Sequence, residues 1–319
     1  MAWLGEPWLL VGLGFGLLIF GGEALVRGAV TTARGLGVSS LLIGLTIVGF
    51  GTSTPELLTS VTAALAGSPG LAVGNIVGSN IANLLLVVGL AALLRPMAVE
   101  PRGFLRDGLV LLAVTGAAIV FLLRGHIDGR IGLWFLGALA LYVLVSFLQE
   151  RGRAAQSDTA PMPVRRGSIP RALLLTLVGI AITVLGAKLL VDGALVLARQ
   201  AGVSETLLGL TLVAVGTSLP ELVTTVLAAV RRQSEVALGN AMGSNIYNVL
   251  GILGVTALVR PIDAPADLGW VDLGVMAASA LLLVLTGLNR GRLGRLFGLF
   301  MLAGYGGYIA WLAWRAGAF

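Results

Sequence analysis

GTSTPELLTS, residues 51–60, and GTSLPELVTT, residues 216–225, are one motif written twice, 165 positions apart. Each places a glutamate, Glu56 or Glu221, behind a Gly-Thr-Ser step and a proline, inside a run that is otherwise apolar. Laid on itself at that offset, the chain aligns without a gap from Phe20 to Pro96, and 39 of 77 pairs are identical. GNIVGSNIAN (74–83) meets GNAMGSNIYN (239–248), and Arg95-Pro96 meets Arg260-Pro261. The chain is an internal duplication, and the fold must be read as two halves.

Outward from the motifs, composition fixes the environment. The 319 residues are 57% hydrophobic and 11% charged, whereas a soluble domain carries about 25% charged residues. Apolar runs of about 20 residues recur, the length that crosses a bilayer as a helix. They are continuous rather than alternating, which selects helices over barrel strands. An all-α membrane protein of ten transmembrane helices is expected, over 7–29, 39–66, 71–94, 105–123, 131–149, 171–198, 204–230, 236–259, 269–288 and 296–315. Residues 1–150 form the first half, 151–169 a linker and 170–319 the second half. Five spans per half is odd, so the second half enters the membrane inverted, a plan shared by many secondary transporters. The linker is polar and Pro-containing, too short for a folded domain, and reads as a flexible connector.

Arginine sets the orientation. With the N-terminus outside, inner loops and span ends hold fifteen arginines, among them Arg27, Arg34, Arg95, Arg151, Arg231 and Arg290. The outer ones hold five: Arg124, Arg130, Arg199, Arg260 and Arg315. The bias predicts both termini outside and the linker in the cytoplasm. The net charge of +6 therefore marks cytoplasmic loops rather than a nucleic-acid partner. The first apolar segment is too long for a cleavable signal and lacks a basic leader. With no cysteine, there is neither a disulfide nor a thiolate metal site. The single histidine, His126, falls between spans and reads as solvated. No phosphate-binding GxxxxGK[ST] loop occurs, so nucleotide-driven pumping and enzyme chemistry are not expected, nor is a cofactor.

Glu56 lies about 17 residues into its span, roughly 25 Å if helical throughout, and Gly and Pro argue for a broken helix there. An ionisable group near mid-membrane is costly and reads as functional. A broken helix also frees carbonyls and dipole ends to face an ion. The groups gathered by the motifs are the carboxylates of Glu56 and Glu221, the hydroxyls of Thr52, Ser53, Ser79, Thr217, Ser218 and Ser244, and the amides of Asn83 and Asn248. All-oxygen ligation suits hard cations, and a flexible many-oxygen cage favours Ca²⁺ over Mg²⁺. Two carboxylates balance one Ca²⁺, two Na⁺ or two protons, and that mutual exclusion is the physical basis of exchange. Close helix packing explains the glycines and serines but not two symmetric glutamates.

These motifs resemble the two alpha repeats of the sodium/calcium exchanger family, in the compact prokaryotic form, over essentially the whole chain. The resemblance implies Ca²⁺ extrusion driven by inward Na⁺ through alternating access, in the plasma membrane of a prokaryote, with no obligate protein partner. It also implies that Glu56 and Glu221 sit at the centre of a cluster of four cation sites, joined by the carbonyls of Gly49 and Ala214. Some members, the potassium-dependent ones included, carry Asp at the position of Asn248; an amide there removes a charge and disfavours K⁺ dependence. Proton-coupled relatives differ in the first motif, which disfavours H⁺ coupling. A passive channel and a non-transporting scaffold are the competing classes. Glu23–Arg27 and their repeat mates Lys188–Asp192 are each spaced to pair on their own helix.

Overall fold

The computed structural model describes residues 6–156, 168–200, 214–263 and 268–315. Its helices are α1 (Pro7–Leu36), α2 (Ser40–Thr52), α3 (Thr54–Leu65), α4 (Pro69–Leu94), α5 (Pro101–Leu123), α6 (Gly129–Gln156), α7 (Ser168–Gln200), α8 (Ala214–Thr217), α9 (Leu219–Val230), α10 (Ser234–Val259), α11 (Trp270–Arg290) and α12 (Arg295–Arg315). Among the described residues, eight are long and apolar enough to cross a membrane, and the bent pair α2–α3 makes a ninth. The expected span 204–230 is described only from Ala214 onward, and residues 157–167 of the expected linker lie outside the described residues.

Local chemistry sets the ends. Pro7, Pro69 and Pro101 open α1, α4 and α5, where a missing N–H costs nothing. Ser39 caps α2 by accepting from the Leu42 N–H, and Glu100 caps α5 by accepting from Arg102 and Gly103. Gly37, at φ 66°, ends α1 in the left-handed conformation that favours glycine.

The all-helical expectation needs one amendment. β1 (Met97–Ala98) pairs antiparallel with β4 (Arg292–Leu293), and β2 (His126–Ile127) with β3 (Ile262–Asp263). Each ladder joins one half of the chain to the other. Two-residue strands carry no periodic signal, so the sequence does not betray them. His126 is likewise not merely solvated: its Nδ1 lies 2.7 Å from Asp263 Oδ1 across the second ladder.

α4 and α10 are the centre, each 78% buried over its apolar window against 22–44% for the other spanning helices. They run antiparallel. Ser234, at the start of α10, accepts from the Ala98 N–H just past the end of α4, and Arg260, past the end of α10, donates to the Ala64 and Leu65 carbonyls at the end of α3. At their crossing the Asn80 amide donates to the Asn245 carbonyl and the Asn245 amide to the Asn80 carbonyl, at 3.4 and 3.0 Å.

Outside this pair, α1 and α7, themselves antiparallel and nearly backbone to backbone, pack on the broken helices α2 and α9. Gly14, Gly21 and Gly28 of α1 recur every seventh residue, as do Gly179, Gly186 and Gly193 of α7. A Cβ at any of the six would come within 2.5–2.7 Å of the partner helix. Of the two charge pairs expected here, Glu23 and Arg27 do pair. Lys188 and Asp192 do not: both are exposed, and no ion pair joins them. Glu23 has a second partner that spacing could not reveal, Arg231 beyond the end of α9, at 2.9 Å.

Candidate cation site

The helix breaks where the motifs predicted. α2 ends at Thr52 and α3 starts at Thr54, with a 46° bend at Ser53; α8 and α9 meet at Ser218 with nearly the same backbone angles. Pro55 and Pro220 occupy the second position of α3 and α9, so Glu56 and Glu221 fall in the first turn. A helix N-terminus favours negative charge there. Wide i→i+5 turns flank these breaks at 44–48, 83–88 and 248–253, distortions common at functional sites.

Both glutamates are fully buried, and each is held by the other half. Ser53 donates to Glu221 Oε1 at 2.7 Å, and Ser218 donates to Glu56 Oε1 at 3.2 Å. Ser244 adds a longer bond to Glu221 Oε1, 3.4 Å, and one to the Gly49 carbonyl, 3.2 Å. Thr52 donates to the carbonyls of Val48 and Gly49 and lies 3.1 Å from Asn240 Oδ1. The Gly49 carbonyl is thus not free; it also accepts the Ser53 N–H. Ala214 opens the short helix α8.

Several further oxygens of the motifs have no hydrogen-bond partner among the described residues. Glu56 Oε2, Glu221 Oε2, Ser79 Oγ, Thr217 Oγ1, Asn83 Oδ1 and Asn248 Oδ1 are buried and unbonded. A buried polar group left unsatisfied costs about 1–3 kcal/mol. Six of them approach on the order of 10 kcal/mol, as much as the stability of a typical domain. That cost is offset if cations bind, because every one of these atoms presents a lone pair.

Two other buried carboxylates show what a structural one looks like. Asp107 accepts from Arg106 at 2.7 and 2.9 Å and from Tyr142 at 3.0 Å. Its repeat mate Asp272 accepts from Tyr308 at 2.7 Å and lies 3.4 Å from Arg315. Each is neutralised by an arginine. Neither Glu56 nor Glu221 has a basic partner among the described residues, and no third Asp, Glu, His or Cys completes a metal-binding group with them.

Sequence reasoning missed the braces. Asn75 donates to the Glu56 carbonyl and to Ser60, at 3.2 and 3.0 Å. Asn240 does the same to the Glu221 carbonyl and Thr225, at 3.3 and 2.8 Å. These amides splice each second motif to the glutamate helix of its own half. Their signal was present: both fall 19 residues after the glutamate, in the GN of each repeat. Asn80 also reaches the site, holding the Asn248 amide through its Oδ1 at 2.9 Å.

An apolar helical bundle with a buried, all-oxygen cluster on broken helices is the architecture of a secondary ion transporter. The comparisons make it particular. The family model for sodium/calcium exchanger protein matches residues 6–148 and 171–314. CaxA of Alkalimonas amylolytica is 38% identical over 291 residues, covering 89% of this chain and 91% of that protein. The sodium/calcium exchanger MaX1 of Methanosarcina acetivorans is 33% identical over 316 residues, 87% of this chain and 89% of its own length. Among solved structures, the sodium-calcium exchanger NCX_Mj soaked with Na⁺ and Sr²⁺ superposes with a TM-score of 0.84 at 33% identity, covering 97% of this chain and 99% of that one. The chain belongs to the sodium/calcium exchanger family and is a membrane antiporter of that family.

Proposed function

We propose that the protein exports Ca²⁺ in exchange for Na⁺ across a prokaryotic plasma membrane, by alternating access of one central cluster. The observation that carries the reading is the set of unpartnered oxygens on the motif residues, together with two buried glutamates that lack a basic partner among the described residues. Its ligands are Glu56, Glu221, Thr52, Ser53, Thr217, Ser218, Ser79, Ser244, Asn83 and Asn248, with the backbone of Gly49 and Ala214. One Ca²⁺ or two Na⁺ neutralise the two carboxylates, so one cargo displaces the other. In this reading ten spans form two inverted five-helix halves, with both termini outside and the linker in the cytoplasm.

Alternating access is supported by an asymmetry between repeat mates. A Cβ on Gly239 would sit 2.5 Å from the Leu41 carbonyl, and one on Gly243 would strike Leu45. Their mates Gly74 and Gly78, at the other end of the cluster, have nothing within 4 Å among the described residues, which do not include 206–210, the repeat mates of Leu41–Leu45. With the arginine bias as guide, this packed glycine face lies on the cytoplasmic side. The glycine-faced contact of α1 with α7 gives those helices a smooth track along which to shift.

A second reading rests on the same unpaired glutamates, since each can accept a proton in place of a metal ion: a proton-coupled calcium or other divalent exchanger. Proteoliposomes loaded with Na⁺ and diluted into Ca²⁺ separate the two. Uptake that needs the outward Na⁺ gradient and ignores a pH gradient supports Na⁺ coupling. Uptake that follows the pH gradient instead moves the coupling to protons, and flux indifferent to both would make the protein a passive pathway.

A further inference from the structure

A recess of about 370 Å³, separate from the cation cluster, lies between α1 and the end of α9. Glu23, Arg27, Thr31 and Arg34 line it from α1, with Val26 and Val30 between them; Arg231 and Gln233 line it from beyond α9. Positions 23, 27, 31 and 34 recur every three to four residues, so they form one helix face. Three guanidiniums against one carboxylate leave a net charge of +2 at this wall. The carboxylate is divided: Glu23 Oε1 pairs with Arg27, and Oε2 with Arg231 at 2.9 Å. The Arg34 side chain takes no hydrogen bond or ion pair among the described residues, although it faces the recess. The site therefore holds one free guanidinium and two that are partly used, a donor set that matches phosphate oxygens.

Its depth points to the source of the phosphate. α1 has 30 residues, about 45 Å of helix, and overruns a hydrocarbon core of about 30 Å. Its large exposed apolar side chains run from Trp8 to Phe20, with only Leu36 beyond. The arginine-bearing face that follows therefore lies at headgroup level, beside lipid rather than in bulk water. By the arginine bias this is the inner leaflet, where basic recesses between helices take anionic headgroups.

We propose that this recess binds the phosphate of an anionic phospholipid, through Arg27 and Arg34 of α1 and Arg231 of α9's end. The phosphate bridges a helix that flanks the core to one that carries Glu221, and so favours the register of α1 seen here. The opposite end of the molecule does not repeat the set: the repeat mates of Glu23, Arg27, Arg34 and Arg231 are Lys188, Asp192, Arg199 and Ala66.

The test is native mass spectrometry of the purified full-length protein, with phosphatidylglycerol or phosphatidylcholine added to the detergent. Wild type should retain phosphatidylglycerol selectively. Each arginine near an anionic surface contributes roughly fivefold in binding, so R34Q/R231Q should lower retention by about twentyfold. R34Q alone breaks no contact in the structure and should lower it about fivefold, which guards against misfolding of the double variant. R34K/R231K should restore most of it. R124Q/R130Q, on arginines outside the recess, should change nothing. Equal retention by R34Q and wild type would overturn the proposal. So would equal losses in R34Q/R231Q and R124Q/R130Q, which would mean diffuse attraction only. Displacement of the lipid by inorganic phosphate alone, with no dependence on the acyl chains, would assign the recess to free phosphate and overturn the lipid.

Discussion

The two halves carry nearly the same motifs and bond them differently. In the second half, Ser244 is tied to Gly49 and Glu221, and the Asn248 amide to Asn80. Thr52, which packs on that side, reaches Asn240. Their repeat mates Ser79 and Thr217 have unbonded hydroxyls, and both amide atoms of Asn83 are unbonded. Asn240 is fully buried and Asn75 only partly so. Identical residues thus have different surroundings in the two halves. One side of the cluster is closed on itself, while the other offers its lone pairs. A carrier that inverts its halves would exchange these two descriptions.

The comparison can be broken at several depths. The largest effect is expected where the halves agree. E56Q and E221Q each remove one of two charges that nothing else replaces, and each should reduce Na⁺-dependent Ca²⁺ flux in proteoliposomes by at least about a hundredfold, since even outer-shell partners of bound metals cost 10–100-fold. Similar flux in either variant would show that the carboxylates are not ligands.

Next come the braces. N240A and N75A should both impair exchange by roughly tenfold or more. N240A should be the worse in stability because Asn240 also takes the contact with Thr52; the extra bond is worth about 1 kcal/mol, readable as a difference in thermal midpoint between the two variants. Equal midpoints would count against the asymmetry.

A third test reads the state itself. The chain has no cysteine, so single cysteines can be placed freely. G74C should label from the outer side with a membrane-impermeant thiol reagent. G239A should shift the population away from the packed inner side, because its methyl meets the Leu41 carbonyl, and G78A should not. Raised inner-side accessibility of a reporter cysteine in G239A, absent in G78A, is the expected pattern.

The smallest effect belongs to Glu23–Arg231, an exposed pair worth about 0–1 kcal/mol. R231A should move the thermal midpoint by no more than a few degrees, and a larger shift would mean that the contact braces the core.

Much of the candidate site was legible because membrane burial makes polar residues rare and therefore conspicuous. Glu56 and Glu221 stand out in apolar runs, and the 165-residue offset pairs every candidate ligand with a mate. Linear spacing could not tell which serine serves which glutamate; that Ser53 reaches Glu221 and Ser218 reaches Glu56 depends on how the two halves interlock. Asn75 and Asn240 lay inside motifs already quoted, yet they donate to a backbone carbonyl, and a brace of that kind has no composition of its own. The seventh-residue glycines of α1 and α7 were a readable repeat, hidden in a chain with 46 glycines. The Lys188–Asp192 expectation failed because i, i+4 spacing permits a pair without enforcing one, and exposed charges gain little from closing.

The most direct measurement is equilibrium Ca²⁺ binding to the purified protein by calorimetry, repeated in rising Na⁺ and in E56Q and E221Q. Cation ligation by the paired glutamates requires Ca²⁺ binding in wild type, its displacement by Na⁺, and its loss in both folded variants. Ca²⁺ binding that survives both substitutions, or that Na⁺ leaves untouched, would contradict it.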